Sequence, residues 1–321
     1  MSEAAALRAR GLALLPELEG LARSPLERWT LPREWPLGEL WVKRDDLLGE
    51  GGAKVRKLRV ELGRARRAGV GVLTVGHLDS NHALATARAA RGLGLRVELD
   101  LLGRPARDPP RAEILGGSAD AVRFHRGPVR LGISVAFALA AARLRRAPLR
   151  FLPPGGTTIA STAAVAMAVA ELVDDFAALG EPLPQRWAVA VGSGGTLAGL
   201  WAGVRALNLS VRILGVAASS RWVGPAAITA LCNRTLRRLG ASARLRRREV
   251  ELDFGPLGQG HGASTSASRE VLAQLGELGH PLDPIYTAKA LVGLEAAAAP
   301  RTGPAAPGGT WLFWHTGVSV H

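Results

Sequence analysis

Short apolar runs alternate with longer amphipathic stretches along most of this chain, and that alternation leaves few folds open. "ELWVKRDD" (39–46) reads as a strand. "AKVRKLRVELGRARRAG" follows as a helix, with Val55, Leu58, Leu62 and Ala65 on one face at 3-4-3 spacing. "VGVLTVG" (70–76) is a short buried strand, and "SNHALATARAARGLG" is a helix with Ser80 as N-cap and a close at Gly92 and Gly94. The same alternation continues through "LRVELDLLG", the helix-then-strand of "DPPRAEILGGSADAVRF", and the helix of "GISVAFALAAARLRR". A long helix over about 159–179 leads into "RWAVAVGSGGTLAGLWAGVRAL", the strand "VRILGVAA", a helix around "GPAAITALCNRTLRRLG" and a closing strand "GTWLFWH". Repeated strand–helix units predict an α/β protein, two-lobed, with parallel sheets and helices on both faces.

"RFLPPGG" (150–156) interrupts this rhythm with two prolines and two glycines, which marks a lobe boundary near residue 155. The expected division is a small domain over 45–157 and a large domain made of 1–44 and 158–321. The first twenty residues carry Glu3, Glu17 and Glu19 and lack a long apolar core, so they do not read as a signal peptide or a span. The Ala-rich window "IASTAAVAMAVAELVDD" is broken by Ser161, Thr162 and Glu171 and falls short of a membrane helix. A single cysteine, Cys232, leaves no internal disulfide and no cysteine metal cage, and no metal site is expected. A cytoplasmic location and no membrane partner are the expectation.

The net charge of +14 raises the question of nucleic acid. The arginines are spread along the chain, however, and the densest run, Arg244 with Arg246 to Arg248, has no aromatic neighbour on which a base could stack. Within that arginine-rich background only four residues are lysine: Lys43, Lys54, Lys57 and Lys289. Two of them lie three residues apart, just after the paired glycines of "GEGGAKVRKL". Arginine serves a solvated charge equally well. It does not serve where a deprotonated amine must attack a carbonyl.

"VAVGSGGTLAG" reads as strand, glycine turn and helix start. Backbone N–H groups over Gly192, Ser193, Gly194, Gly195 and Thr196 can converge on an anion, aided by two hydroxyls and the helix dipole. A P-loop is excluded because no lysine follows. A dinucleotide fold is disfavoured because Leu197 stands at the third glycine position and "VRILGVAASS" ends without an acid. A single phosphate remains. A monophosphate cup, a lysine at a helix start and a two-lobed α/β layout together suggest pyridoxal 5′-phosphate as cofactor.

The stretches "VKRDD", "GGAKVRKL", "SNH", "PPGG", "VGSGGTLAGL", "LDPIYTAKA" and "FWHTG" are similar to those of the 1-aminocyclopropane-1-carboxylate deaminase / D-cysteine desulfhydrase family, which has the tryptophan-synthase-β-like fold (fold type II). The likeness runs over most of the chain from about residue 39. It implies that the large domain binds the cofactor. It further implies that Lys54 holds the cofactor aldehyde and shuttles the Cα proton, while Lys57 points towards the cofactor phosphate. Ser80 would contact the substrate carboxylate or relay a proton, and Asn81 would bind the ring O3′. Gly192 to Thr196 would hold the phosphate, Tyr286 would lie at ring and substrate, and Thr287 would face the pyridine nitrogen. Tyr286 is the single tyrosine of the chain. A small amino-acid substrate and a homodimer are implied in the same way.

Some positions depart from the family pattern. Ala53 stands for the usual asparagine, and His77 and Asp79 stand for glycine and glutamine. His261 stands for a tyrosine near the substrate, where its imidazole can still transfer protons. Val318 replaces a glycine, and the chain stops at His321, short of the family's closing segment, as a shortened gene would. Glu at the Thr287 position and Leu at the Thr316 position mark the deaminase. Threonine at both favours β-elimination from D-cysteine or a related small amino acid. The alternatives are the deaminase itself, a weakened or inactive relative, and a nucleic-acid binder.

Overall fold

The structure is a computed structural model and describes residues 2–260, 262–299 and 308–317. Ten strands form among these residues: β1 (Leu26–Trp29), β2 (Leu37–Arg44), β3 (Gly71–His77), β4 (Val97–Leu102), β5 (Ala121–His125), β6 (Leu149–Leu152), β7 (Arg186–Val191), β8 (Arg212–Ala217), β9 (Glu251–Asp253) and β10 (Gly308–His315). Ten α-helices accompany them: α1 (Glu3–Leu14), α2 (Lys54–Arg67), α3 (Asn81–Gly92), α4 (Pro109–Ser118), α5 (Pro128–Leu144), α6 (Ile159–Leu179), α7 (Gly195–Ala206), α8 (Pro225–Arg238), α9 (Ser266–Glu277) and α10 (Thr287–Ala298). The chain divides into two compact units, Lys54–Ser161 and Met1–Ala53 with Thr162–His321. Among the described residues no helix is long and apolar enough to cross a membrane.

The larger unit holds a six-stranded sheet in the order β1-β2-β10-β7-β8-β9, parallel except where β1 pairs with β2. β10 occupies the middle and runs Thr310 against Glu39 on one side and Trp311 against Arg186 on the other. A strand paired on both edges and covered on both faces must be apolar throughout. Trp311, Leu312, Phe313 and Trp314 are all buried. His315 ends the run, with its Nε2 2.7 Å from the Pro281 carbonyl. Apolar side chains of β2, β10, α9 and α10, among them Leu40, Val42, Leu275, Leu291 and Phe313, form one core.

The smaller unit holds a parallel four-stranded sheet in the order β5-β4-β3-β6. α2 buries Leu58, Leu62 and Ala65 as its periodicity requires, while Val55 stays half-exposed in the first turn. α3 is capped by Ser80, whose Oγ accepts the N–H of Ala83 at 3.2 Å. β4 carries two buried acids. Asp100 accepts Ser134 Oγ at 2.7 Å, His125 Nε2 at 2.5 Å and the Arg123 guanidinium at 2.8 Å. These donors hold its carboxyl below the usual range despite the opposing effect of burial.

Three local readings change. The strand read at 39–46 lies at Leu37–Arg44, and Asp45–Leu48 turns away as a 3-10 helix because both aspartates have partners there. Asp45 accepts Trp314 Nε1 at 2.9 Å, and Asp46 accepts Arg44. "RFLPPGG" is not only a break, since its start forms β6, four residues long and too short to show a period. β1 has no counterpart in the sequence reading; it is an antiparallel edge strand of four residues directly after Pro25.

Lys43 shows how the larger unit tolerates an interior charge. It is fully buried on β2, and its Nζ donates to Ser24 O at 2.6 Å, Glu171 Oε1 at 2.7 Å and Asp175 Oδ2 at 2.7 Å. Glu171 and Asp175 are one turn apart on α6, so both reach one ammonium. Removing the lysine takes the shared buried cation from two carboxylates, leaving Asp175 with Arg23 and Glu171 with the Ser24 N–H among their partners. Lys43→Ala should therefore lower unfolding stability by about 3–5 kcal/mol. In urea denaturation the double variant Lys43→Met/Glu171→Gln should recover part of that loss.

Candidate functional site

The expected site residues fall into both compact units. In Lys54–Ser161, Lys54 is the first residue of α2 and Lys57 lies one turn on. Lys57 is 4% exposed. Its amine is pushed down to about 7, first by burial and then by the like charge of Lys54. Among the described residues nothing neutralises it, and those two are the only causes of the shift. Beside the lysines lies His82, buried on α3, with Nε2 3.1 Å from Thr74 Oγ1 and Nδ1 3.4 Å from Thr86 Oγ1. Burial, Lys54 and Lys57 lower its pKa to about 3, so the ring is neutral at any ordinary pH. Gly156 closes the group. A side chain there would reach within 3.3 Å of His82 Cε1 and 3.9 Å of Lys57 Cβ. A buried amine beside a neutral imidazole is a place where an anion would restore the amine's charge.

Ser80 and Asn81 lie at the N-terminus of α3, with Ser80 almost buried. Asn81 Oδ1 accepts Arg111 Nη2 at 3.1 Å. The guanidinium thus fixes which end of the amide is oxygen and leaves the NH2 to donate elsewhere. His77 is exposed at the last position of β3, and Asp79 is exposed in the turn that follows.

In the larger unit the glycine turn joins β7 to α7 as the sequence predicts. Gly194 is left-handed, at φ +81, and α7 has no side-chain cap, so its leading N–H groups are available to an anion. Gly192 lies under the Tyr286 ring, where a Cβ would stand 3.3 Å from Tyr286 Cε1 and 3.7 Å from Ser219 Oγ. Glycine turn and tyrosine are thus one surface. Thr287 is fully buried as the first residue of α10. Its hydroxyl lies 2.8 Å from Asp283 Oδ2 and accepts the Asp283 N–H at 2.8 Å. Asp283 also accepts the N–H groups of Ile285, Tyr286 and Thr287 at 3.0, 2.6 and 3.1 Å. It is therefore the residue that sets the Tyr286–Thr287 turn.

The motifs around residues 52 and 316 also meet. Ala53 N donates to Thr316 O at 2.9 Å. Gly52 has φ +57, and a Cβ there would stand 2.9 Å from Gly317 Cα, so only glycine fits directly ahead of the lysine helix. His261, Val318 and His321 lie outside the described residues.

Sequence reasoning gave no role to His82, Arg111, Asp283 or Ser219. His82 follows "SN" directly, and Asp283 sits in an Asp-Pro pair just ahead of a helix, which is a recognisable start signal. Arg111 and Ser219 are brought in only by the fold.

The fit to a phosphate-bearing aldehyde rests on features taken unit by unit: in the larger, an uncapped helix start behind two glycines with a tyrosine laid against that turn; in the smaller, a buried lysine whose amine is pushed down to about 7. The Lys57 shift has a thermodynamic consequence. Its folded pKa of about 7 lies below the ordinary 10.5, so the unfolded chain binds more protons between those values and stability rises with pH. The clean window is pH 7–9. His82 titrates below it, and the buried Cys232 thiol, pushed up to about 12, reverses the trend only above its ordinary 9.0. Cofactor-free protein should gain about 1 kcal/mol per pH unit across that window. In chemical denaturation Lys57→Met should flatten the slope, and so should added inorganic phosphate.

Comparisons with known proteins agree with this chemistry. The family model described as "Pyridoxal-phosphate dependent enzyme" matches residues 18–317. A provisionally named 1-aminocyclopropane-1-carboxylate deaminase of Pyrococcus horikoshii is 34% identical over 285 residues, covering 87% of this chain and 84% of that protein. A D-cysteine desulfhydrase of Salmonella paratyphi A is 29% identical over 323 residues, covering 95% of each. The crystal structure of a 1-aminocyclopropane-1-carboxylate deaminase homologue superposes with a TM-score of 0.80 at 30% identity, covering 96% of this chain and 94% of that one. The chain therefore belongs to the pyridoxal-phosphate-dependent enzyme family, has its fold type II, and is related within it to 1-aminocyclopropane-1-carboxylate deaminase and D-cysteine desulfhydrase.

Proposed function

We propose that the protein is a lyase that eliminates a β leaving group from D-cysteine or a related small amino acid, giving pyruvate, ammonia and sulfide. The observation that carries this reading is the hydroxyl at Thr287, buried and bonded to Asp283, where the deaminases of the family have a carboxylate. A carboxylate would keep the ring nitrogen protonated and strengthen the ring as an electron sink. A hydroxyl gives a weaker sink, which suits loss of a good leaving group better than opening of a cyclopropane ring. Thr316, beside Ala53, supports the same choice.

Bound pyridoxal phosphate supplies an aldehyde and an electron-withdrawing ring that lowers the cost of charge at Cα. The chain's own residues do the rest. Lys54 would hold the aldehyde and, once the substrate amine is bound there instead, would take the Cα proton. The N–H groups of Gly192 to Thr196 would hold the phosphate, and Lys57 would supply positive charge towards it. The amide NH2 of Asn81, oriented by Arg111, donates to O3′. Ser80 contacts the substrate carboxylate, and Tyr286 and His261 act at the substrate. The Cβ–S bond then breaks with its electron pair leaving on sulfur. The released aminoacrylate takes up water to give pyruvate and ammonia. A homodimer and a cytoplasmic location belong to the same proposal.

Ring-opening deamination of 1-aminocyclopropane-1-carboxylate is the second reading, favoured by the higher identity to the P. horikoshii protein. Protein mixed with pyridoxal phosphate should show a visible absorbance band that Lys54→Ala removes. D-cysteine should then release sulfide and pyruvate in equal amounts. Release of 2-oxobutyrate from the cyclopropane substrate alone would replace the first reading with the second. A band without turnover of any D- or L-amino acid would mark an inactive relative, the outcome that the changes at Ala53, His77 and Asp79 would then explain.

A further inference from the structure

Lys289 lies in the first turn of α10, fully buried. Its Nζ donates to three main-chain carbonyls: Leu257 at 2.9 Å, Ala218 at 3.3 Å and Gly260 at 3.4 Å. Its three N–H donors meet three acceptors, which is the pattern of an ammonium. A neutral amine would turn a lone pair on one of the oxygens. Burial lowers its pKa while Asp283 acts in the opposite direction. Among the described residues the cation is held by carbonyls, without an ion pair. The contrast with Lys43, matched by two carboxylates, is plain.

Converging backbone carbonyls are also how proteins bind bare monovalent cations. The 2.9–3.4 Å spacing suits a large ion such as K+ or NH4+, whereas Mg2+ draws its oxygens in to about 2.1 Å. The three carbonyls come from two loops. Ala218 follows β8 and precedes Ser219, whose hydroxyl reaches towards the glycine turn. Leu257 and Gly260 bracket the loop after β9, and a Cβ on Gly260 would lie 3.6 Å from Ser219 O. The lysine itself stands two residues after Thr287 and three after Tyr286.

We propose that Lys289 is a built-in monovalent cation: its ammonium fills a carbonyl cage that would otherwise take K+ or NH4+, and so holds the β8 end, the 255–260 loop and the start of α10 together without a metal. It is a positioning residue for Tyr286, Thr287 and the glycine turn; that consequence rests on the cofactor reading, whereas the cage itself does not.

The test is thermal melting of cofactor-free full-length protein in choline chloride, KCl or NH4Cl at equal ionic strength. Wild-type protein should melt at one midpoint in all three salts. Lys289→Ala should melt about 5 °C lower or more in choline chloride, and K+ or NH4+ should restore at least half of that loss. Lys289→Met, which fills the space without charge, should stay low in every salt. The proposal is overturned if wild-type protein is stabilised by K+ over choline, or if Lys289→Ala melts alike in all three salts. Should Lys289→Ala prove insoluble, its refolding yield from urea is compared in KCl and choline chloride; a higher yield in KCl supports the cage and equal yields overturn it. No cofactor or substrate enters this measurement, so its outcome is separate from that of the elimination assay.

Discussion

The pairing of β10 between β2 and β7 is the contact on which the larger unit depends. It brings residue 310 against residue 39 and residue 311 against residue 186 in a parallel ladder that no local signal could enforce. Burial drives it: Trp311 to Trp314 have both faces and both edges covered. The functional consequence is local. Because β10 runs parallel to β2, its end delivers Thr316 and Gly317 to Gly52 and Ala53, the residues that launch the lysine helix. Thr316 is thereby set next to the peptide that precedes Lys54.

Charge is handled in two contrasting ways across the molecule. Interior ions with a structural task are matched. Lys43 has Glu171 and Asp175, and Asp100 has Arg123, His125 and Ser134. Elsewhere the balance differs: in the smaller unit burial and Lys54 press down the Lys57 amine, and in the larger α7 begins without a side-chain cap. A buried amine held far below its ordinary pKa implies that an anionic guest would restore its charge. The family assignment says what kind of guest that is.

Much of this was legible in the residues, and for identifiable reasons. Parallel strands buried on both faces are continuous apolar runs, so β7, β8 and β10 were visible. α2 and α3 announced themselves by a 3-4 spacing and a serine cap. The glycine turn was legible because its backbone demand falls on residue types that only a turn needs. The misses have physical causes too. β1 and β6 are four residues long, below the length at which a period shows. Asp283 hides because its partners are main-chain N–H groups, which carry no sequence signature. Arg111 meets Asn81 from thirty residues away, and only the packing of α4 on α3 reveals it.

The chain order of the two sheets bears on how the protein is made. β3 to β6, with their helices, lie in one uninterrupted stretch, Lys54–Ser161, and that sheet can assemble as soon as the stretch leaves the ribosome. The other sheet is missing its middle member until residues 308–315 are translated, since β10 is the last strand in chain order among the described residues and sits between two that precede it by more than a hundred residues. Until then β2 and β7 each present an unpaired edge, the exposure that invites association with other nascent chains. The wait is set by the speed of synthesis. Chaperone demand during translation thus follows from strand order and falls on one half of the molecule.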